Sequence, residues 1–429
     1  MNVLITGQHG VKHEDVADAL VKQVNEIYGK RGLVGEPIIA HESIERAIKV
    51  RVGDDLPVFF RLPTDFERQK IWDDVSNVIK LRFEKTHPRP PVHKIISLHA
   101  IYYWEGRFFS LINWELLLSL SPTVIVTLID DIYDIYGRIK QDQKNGVIGI
   151  PGGEYSLPVI LSWREREILQ TFTISKHLYL DPEYYSDAKT SNLPAGLRHV
   201  FHPPIKHFVI SVKQSIQTLY DILFNRKKLP VYASFPISAP RRKLKSGVLE
   251  DKKTAEKIIE DLHNWRSMLH SKFAVFDPIG IDELRFGEDY RLIPRINFSV
   301  SSPMVSPIDD ADSKIRPEEL KAVKEQINYQ IKERDFQLIS QSQCTVMWRP
   351  LLWNEAHDGV QQEATYAKAA HKMIFSYHPS LDNMSQKPFP YEIGSFMRSE
   401  KDVVEQLERY QKNNWVDKIN SDTWEREQI

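Results

Sequence analysis

Short apolar runs alternate with longer segments of helical periodicity along most of this 429-residue chain. The first run is Val3 to Ile5, and a helical pattern over 14–27 follows it. Further buried-strand patterns lie at 93–100 and 123–128. Because strands that alternate with helices favour a parallel sheet covered on both faces, this order predicts an α/β fold.

The pattern gives further elements for the N-terminal half. We predict an amphipathic connection over 107–120, and a helix that begins with Asp130 and Asp131 in its first turn, where acids favour the helix dipole. A helix over 160–178, a strand near 198–202 and a helix over 208–224 complete this half.

The alternation starts again after the polar, proline-terminated segment NRKKLP at 225–230. A chain of this length exceeds one ordinary core, so we predict two three-layer α/β domains with mainly parallel sheets, over 1–226 and 229–429. The predicted elements of the second domain are strands at 231–237, 273–278, 344–350 and 372–377, helices at 250–271, 317–342 and 399–413, with Ser399 as N-cap of the last, and a long loop over 280–316.

Composition excludes several classes of function. Lys and Arg number 57 against 58 Asp and Glu, which gives no global attraction to nucleic acid or to an anionic membrane. The single cysteine, Cys344, excludes a disulfide framework and a cysteine metal site. The fifteen histidines include no H-E-x-x-H and no ligand cluster, so no metal site is predicted. Without a signal-peptide pattern or an apolar run of 18 residues, we expect a cytoplasmic protein.

The N-terminal strand, turn and helix form the usual setting of a phosphate-binding loop. The turn reads GQHGVKHED. If Gly7 is the first glycine of G-x-x-x-x-G-K-[ST], then Lys12, His13 and Glu14 stand where the second glycine, the lysine and the hydroxyl belong. Gly7 and Gly10 still allow backbone amides to face an anion, with positive charge from Lys12 and His13, although the same glycines also suit a plain tight turn.

Residues 1–225 resemble the adenylate-kinase-like P-loop nucleotide kinases, particularly the archaeal type. The resemblance is carried, in order, by VLITGQHGV, SLHAIYYWEGRFF, LSPTVIVTLIDDIYDIYGRIKQD and SWREREILQTF. It implies that Arg138 contacts phosphate. The departures at Lys12, His13 and Glu14 predict a degenerate domain that binds nucleotide or acts as a regulatory scaffold. Mg²⁺ and ATP are expected as cofactors only if this domain is active.

One glutamate in the stretch HDGVQQEATYAKAAHKMIFSYHP, residues 357–379, carries the main functional prediction. Glu363 precedes a run of small residues that should pack tightly, and it is expected at the front of a helix, where the dipole would keep it ionised. A carboxylate held rigidly in this way can attack or stabilise the cationic carbon that forms when a glycosidic bond breaks.

Residues 229–415 resemble the nucleoside 2-deoxyribosyltransferase family, including its 5′-monophosphate N-glycosidase branch. The ordered segments VYASFPIS, IKERDFQLISQSQCTVM and DGVQQEATYAKAAHKMIF carry the resemblance, with Thr365 where the family has a glycine. It implies that Glu363 is the nucleophile, that Tyr232 orients it, and that Asp335 contacts or protonates the base. It also implies substrate-binding roles for Ser234, His357, Asp358 and Gly359.

Each of these residues also has a plain structural interpretation. The alternatives are a solvated charge for Glu363, core packing for Tyr232, an ion pair with Arg334 or Lys332 for Asp335, a loop residue without a ligand for His357, and a solvated surface loop rather than phosphate capture for the basic segment PRRKLKS at 240–246.

The sequence therefore predicts an enzyme that cleaves or exchanges an N-glycosidic bond of a nucleoside, a nucleotide or a related cofactor. The glycosidase is expected to need no cofactor, and its partner is a small molecule rather than nucleic acid or membrane. A homo-oligomer is expected by resemblance. The alternatives are a nucleotide kinase that acts through the N-terminal domain and a non-catalytic nucleotide sensor.

Overall fold

The structure, a computed structural model, is α/β, with two mainly parallel five-stranded sheets flanked by helices, and the predicted fold class is confirmed. It describes residues 1–30, 39–53, 56–62, 64–85, 93–145, 155–180, 205–225, 227–244, 248–286, 290, 300–308, 315–353, 355–379 and 395–416. Two compact units are present, the first comprising Met1–Ile216, Glu283–Pro294 and Pro303–Ile327, and the second Gln217–Asp282, Arg295–Ser302 and Asn328–Ile429. The domain boundary predicted at 226–229 stays a prediction.

The first sheet has the strand order β2-β3-β1-β6-β7, and every neighbouring pair is parallel. Its strands are β1 (Asn2–Gly7), β2 (Ile39–Ser43), β3 (His93–Leu98), β6 (Val124–Ile129) and β7 (Lys206–Ser211). An antiparallel hairpin of β4 (Ile101–Trp104) and β5 (Arg107–Ser110) follows β3. Strand β6 is buried along its whole length, and β1 and β3 at all but one residue each, because helices cover both faces.

The helices of this unit include α1 (His13–Lys30), α2 (Ile44–Val52), α3 (Leu56–Phe60), α4 (Asp65–Lys85), α5 (Trp114–Leu120), α6 (Ile132–Lys144) and α7 (Leu157–Leu180). One face of the sheet, with Leu4, Ile96 and Ile125, packs into an apolar cluster to which α2, α4, α5 and the end of α7 contribute. The first helix packs near β1, β2 and β3.

Two expectations for the N-terminal half were wrong in detail, and a third is untested. The segment 107–120 begins with a strand, because Arg107–Ser110 pairs with β4, and only Trp114–Leu120 is helical. The helix expected over 208–224 is instead a strand ending at Ser211 and a helix, α8 (Ile216–Leu223), because the apolar run Phe208–Ile210 pairs with β6. The strand expected near 198–202 lies outside the described residues.

The second sheet has the order β9-β8-β10-β13-β14, again with parallel neighbours throughout. Its strands are β8 (Pro230–Ser234), β9 (Ala274–Phe276), β10 (Cys344–Trp348), β13 (Met373–Tyr377) and β14 (Ser395–Met397), and a small hairpin of β11 (Leu351–Leu352) and β12 (Glu355–Ala356) follows β10. Counted along the chain, the order is 2-1-3-4-5, the doubly wound arrangement whose ligands bind where the strand order reverses. That reversal lies between β8 and β10.

The helices of the second unit cover the two faces of this sheet. They are α9 (Ser238–Leu244), α10 (Leu249–Lys272), α11 (Pro317–Gln341, from Asn328 in this unit), α12 (Asp358–Ala369) and α13 (Glu400–Tyr410). Apolar residues of α10 and α13 pack with Val231, Ala233 and Val346 on one face. Ser399 accepts the Asp402 amide at 3.1 Å, which confirms it as the N-cap of α13.

Among the described helices, none is both long enough and apolar enough to cross a bilayer.

Candidate functional site

The reversal of strand order in the second sheet places two polar side chains on one face of its central strand. Tyr232 and Ser234 are two residues apart on β8, so both side chains leave the sheet on the same side. Both are fully buried. Their neighbours Val231 and Ala233 point the other way, into the apolar core.

Glu363 on α12 meets this polar face. The Ser234 hydroxyl donates to Glu363 Oε2 at 2.5 Å, and the Tyr232 hydroxyl lies beside the same carboxyl. The Tyr232 hydroxyl forms no hydrogen bond of ordinary geometry with any described residue. The structure therefore brings Glu363 and Tyr232 together as the sequence suggested, but the hydroxyl that holds the carboxyl is that of Ser234, which had been expected to contact substrate.

Glu363 does not lie at the start of its helix, and that expectation was wrong. Helix α12 begins at Asp358, so Glu363 is in its second turn, beyond the amides that carry the positive end of the dipole. Burial and the nearby negative charge of Asp335 raise the pKa of Glu363 to about 8, and the hydrogen bond from Ser234, with the Tyr232 hydroxyl nearby, only partly opposes this. The surroundings of the carboxyl therefore favour its protonated form, whereas a position at the helix start would have favoured the ionised form.

Asp335 is close enough to affect both of these groups. Its charge contributes, after burial, to a pKa of Tyr232 well above the ordinary value. Arg334 donates from Nε and Nη2 to Asp335 Oδ1 at 3.0 and 2.9 Å, and from Nη1 to the Ile281 carbonyl at 3.0 Å. The ion pair with Arg334 is thus present, and it lies beside Glu363, so the structural and functional interpretations of Asp335 are compatible.

Two more hydroxyls extend the polar face. In the parallel register Thr345 on β10 lies beside Tyr232, and Ser376 on β13 lies beside Met347, the neighbour of Ser234. Thr345 and Ser376 are fully buried, and among the described residues neither hydroxyl has a hydrogen-bond partner. Buried polar groups are rarely left unpaired, so such a cluster indicates a place where a ligand completes the bonding.

Sequence reasoning missed this hydroxyl face, although it contains a signal. Polar residues recur at every second position in strands that are otherwise continuously apolar, as in Y-A-S at 232–234. In a sheet with two covered faces, such alternation puts the polar side chains under one layer of helices.

Three of the residues expected to bind substrate lie at the N-terminus of α12. His357 is its N-cap residue, and Asp358 and Gly359 are exposed in the first turn. Glu363 follows Asp358 by five residues, a rise of about 7.5 Å along the helix. No described atom lies within 4 Å of a Cβ placed on Gly359, so packing does not require a glycine there.

The basic segment 240–246 was expected to be a loop, and this was wrong for its described part. Residues 238–244 form α9, because their basic side chains find acidic partners. Arg241 forms two hydrogen bonds with the Asp282 carboxylate, at 2.7 and 2.5 Å, and Lys243 pairs with Asp251 at 2.7 Å. These charges are therefore engaged within the unit.

The glycine turn of the first unit has the geometry of a tight turn. A Cβ on Gly7 would lie 2.8 Å from the Leu128 carbonyl oxygen, and Gly10 has φ +89°. Lys12 is exposed and also has a positive φ, 61°, and its carbonyl accepts the Val16 amide to open α1. Each glycine is thus required by close approach or by backbone conformation.

Arg138, the expected phosphate contact, is buried in an ion-pair network. Its guanidinium donates to Asp130 at 2.7 Å, to the Gly10 carbonyl at 2.7 Å and to the Ser306 carbonyl at 2.9 Å. Lys213 lies 3.3 Å from Asp130 and also pairs with Asp134. Although burial raises the pKa of Asp130, the charges of Lys213 and Arg138 lower it below its ordinary value.

Asp130 therefore serves this network, and only Asp131 acts at the helix start, as the N-cap of α6. The expectation that both acids lie in the first helical turn was wrong.

His13 lies in a buried cluster that the sequence did not predict. It is the first residue of α1, and its ring lies 4.4 Å from that of His99, which follows β3. His99 Nδ1 is 2.9 Å from Glu45 Oε1, and His13 Nε2 is 3.9 Å from the same oxygen. Burial, and then His99, lower the pKa of His13 to about 3, which makes it a neutral imidazole rather than a substitute for the lysine of a phosphate loop.

The residues around this turn do not fit a nucleoside triphosphate with its magnesium ion. Arg138 is fully engaged, His13 is neutral, and the Glu45 carboxylate lies beside it. Glu14, in the place of the magnesium-binding hydroxyl, accepts hydrogen bonds from Ser43 and Arg46. A polyphosphate would meet negative charge here, and Lys12 is the exposed cation of the turn.

No protein-family model matches the chain, and the curated proteins include none with a matching sequence. The roles of the Glu363 site and of the glycine turn are therefore inferred from their own geometry.

Proposed function

We propose that the second unit cleaves or exchanges the N-glycosidic bond of a nucleoside, a nucleotide or a related cofactor through Glu363. The observation that carries the proposal is the Glu363 carboxyl, held by Ser234 at 2.5 Å beside Tyr232 and Asp335, at the strand reversal where ligands bind in doubly wound sheets. Cytoplasmic location and a homo-oligomeric state remain predictions.

The two carboxyl groups supply the two roles that the reaction needs. The surroundings of Glu363 favour its protonated form, whereas Asp335 accepts two hydrogen bonds from the Arg334 guanidinium. Transfer of that one proton within the pair gives an ionised Glu363 and an acidic Asp335. Pairs of titratable groups with contrasting surroundings are typical of acid–base sites.

In the proposed first step, a Glu363 oxygen bonds to C1′ and the bond from C1′ to the base nitrogen breaks. The electron pair of that bond goes to the base, which takes the proton from Asp335. Water, or a second base, then attacks C1′, the Asp335 carboxylate takes the proton of the attacking group, and the bond from C1′ to the Glu363 oxygen breaks. Positive charge develops at C1′ only as the glycosidic bond breaks, and that charge favours the ionised Glu363 carboxylate. Because the raised pKa of Glu363 disfavours the ionised form before that point, the carboxylate stabilises the transition state more than the bound substrate.

The test is incubation of the full chain with a panel of nucleosides, nucleotides and NAD, with chromatography for the free base. Glu363→Gln keeps the shape of the side chain and removes its charge, and we expect base release to fall by about 100-fold or more. Glu405→Gln, at an exposed position on α13, is the matched control and should keep full activity. Unchanged turnover in a folded Glu363→Gln protein would exclude this function.

A kinase is the second candidate, and the first unit gives it little support. Beside its turn Arg138 is engaged by Asp130 and His13 is a neutral imidazole, which leaves Lys12 as the exposed cation. Magnesium-dependent phosphate transfer from ATP to a nucleoside monophosphate, abolished by Lys12→Ala, would nevertheless favour it. Nucleotide binding without turnover would favour a sensor role.

A further inference from the structure

Three buried side chains of the first unit present metal-binding atoms to one another. The ligand atoms of His13, Glu45 and His99 all lie within 4.8 Å of one another. His13 and His99 are each 3 % exposed and Glu45 is 6 % exposed. The three come from separate elements, at the start of α1, in α2 and just after β3.

The imidazole nitrogens of this cluster lack the partners that burial demands. His13 Nε2 and His99 Nε2 are buried without a hydrogen bond to any described residue. His99 Nδ1 lies 2.9 Å from Glu45 Oε1, at ion-pair distance. Unpaired buried nitrogens cost free energy, so their convergence on one carboxylate indicates that something else completes the bonding.

The carboxylate is held in place by the backbone. Glu45 Oε1 accepts the His99 amide at 2.7 Å, which fixes the carboxylate against the end of β3. Hydrogen bonds to a ligating carboxylate are the usual support of a metal site. Glu167 accepts the next two amides, Ala100 and Ile101, at 2.8 Å each, and so fixes the same turn from the other side.

We infer that His13, Glu45 and His99 bind a divalent transition-metal ion. Two imidazoles and one carboxylate suit Zn²⁺ or Fe²⁺, whereas Mg²⁺ and Ca²⁺ prefer ligand sets made of oxygen alone. Three protein ligands also leave coordination positions for water or another small ligand.

The test measures metal content and stability and needs no assay of activity. The full chain is stripped with a chelator, dialysed against Zn²⁺, against Fe²⁺ without oxygen, or against Mg²⁺, and analysed for metal. We expect about one Zn²⁺ or Fe²⁺ per chain, no Mg²⁺, and a rise in melting temperature on adding the bound metal.

Substitutions decide whether the cluster is the site. His13→Gln and Glu45→Gln should each weaken the binding of that metal about 100-fold and abolish the rise in melting temperature. His207→Gln is the control, because His207 is a partly buried histidine of the same unit whose Nε2 contacts Thr127 and Thr171. Full binding by folded Glu45→Gln protein, loss of binding only in the control, or no metal on the unsubstituted chain would each overturn the inference.

Discussion

The two units present opposite polar arrangements at the ends of their central strands. Beyond β6 of the first unit, Asp130, Arg138 and Lys213 are buried together and satisfy one another. In the second unit, the hydroxyls of Tyr232, Thr345 and Ser376 are buried without a hydrogen-bond partner among the described residues, and the Glu363 carboxyl next to Tyr232 has a raised pKa. A closed network, in which each polar group has a partner, supports the fold. An open network, in which buried hydroxyls lack partners, is suited to binding a ligand.

The largest effect expected from this comparison is on the closed network. Asp130→Ala leaves the Arg138 guanidinium buried without its carboxylate, so we expect the free energy of unfolding of the first unit to fall by about 3–5 kcal/mol. Urea denaturation would measure the change. Asp73→Ala, at an exposed helical position, should change stability by less than about 0.5 kcal/mol. Equal urea midpoints for the two variants would mean that the network does not support the fold.

The strands and most helices could be predicted because their apolar periodicity is local. Segments such as Val124–Ile129 and Cys344–Trp348 were found within one residue of their bounds at one end or both. The strand at 206–211 was not predicted, because its apolar run is equally consistent with a strand and with a buried helix until its pairing partner is known.

The site was predictable only in part, for a related reason. The family resemblance predicted Glu363, Tyr232 and Asp335 as residues of one site, and the structure places them together. The partner of Ser234, the pKa of Glu363 and the meeting of His13 with Glu45 depend on contacts between residues far apart in the chain. The spacing of residues along the sequence does not predict such contacts.

A second way to test the open network is through the pH dependence of stability. The pKa of Glu363 is about 8 in the folded chain, whereas the ordinary value for a glutamate is 4.5, so folding favours the protonated form of this side chain. The resulting stabilisation is complete below pH 4.5 and is lost as pH rises through 8. Relative to Glu363→Gln, the unsubstituted chain should therefore lose at least about 1–2 kcal/mol of unfolding free energy between pH 5 and pH 9.

Thermal and urea unfolding at both pH values would measure that difference. Glu405→Gln should follow the unsubstituted chain at both, since its side chain is exposed. Parallel stability curves for the Glu363→Gln protein and the unsubstituted chain would show that Glu363 has an ordinary pKa, which would remove the shared proton from the proposed reaction.

A smaller effect separates the contribution of Asp335 from that of burial. Burial is the largest cause of the raised pKa of Glu363, and the Asp335 charge is the next. Asp335→Asn should therefore lower the pKa of Glu363 by about 1 unit without returning it to 4.5. The pH dependence of unfolding, compared between Asp335→Asn and the double variant with Glu363→Gln, reports this pKa without an activity assay. An unchanged midpoint would mean that the two carboxyls do not interact.

The smallest expected effect is the one that distinguishes a ligand site from a packing defect. Thr345→Val removes a buried hydroxyl that has no partner among the described residues, so the unfolding free energy should stay equal or rise by about 1 kcal/mol. If the hydroxyl awaits substrate, the same change should raise KM or lower kcat for base release. Thr171→Val is the contrasting control, because its hydroxyl contacts Thr127 and the Glu167 carbonyl and its loss should destabilise the first unit. A stabilised Thr345→Val protein with unchanged kinetics would show that the hydroxyl face of the second sheet has no part in binding, and would confine the site to Glu363 and its immediate neighbours.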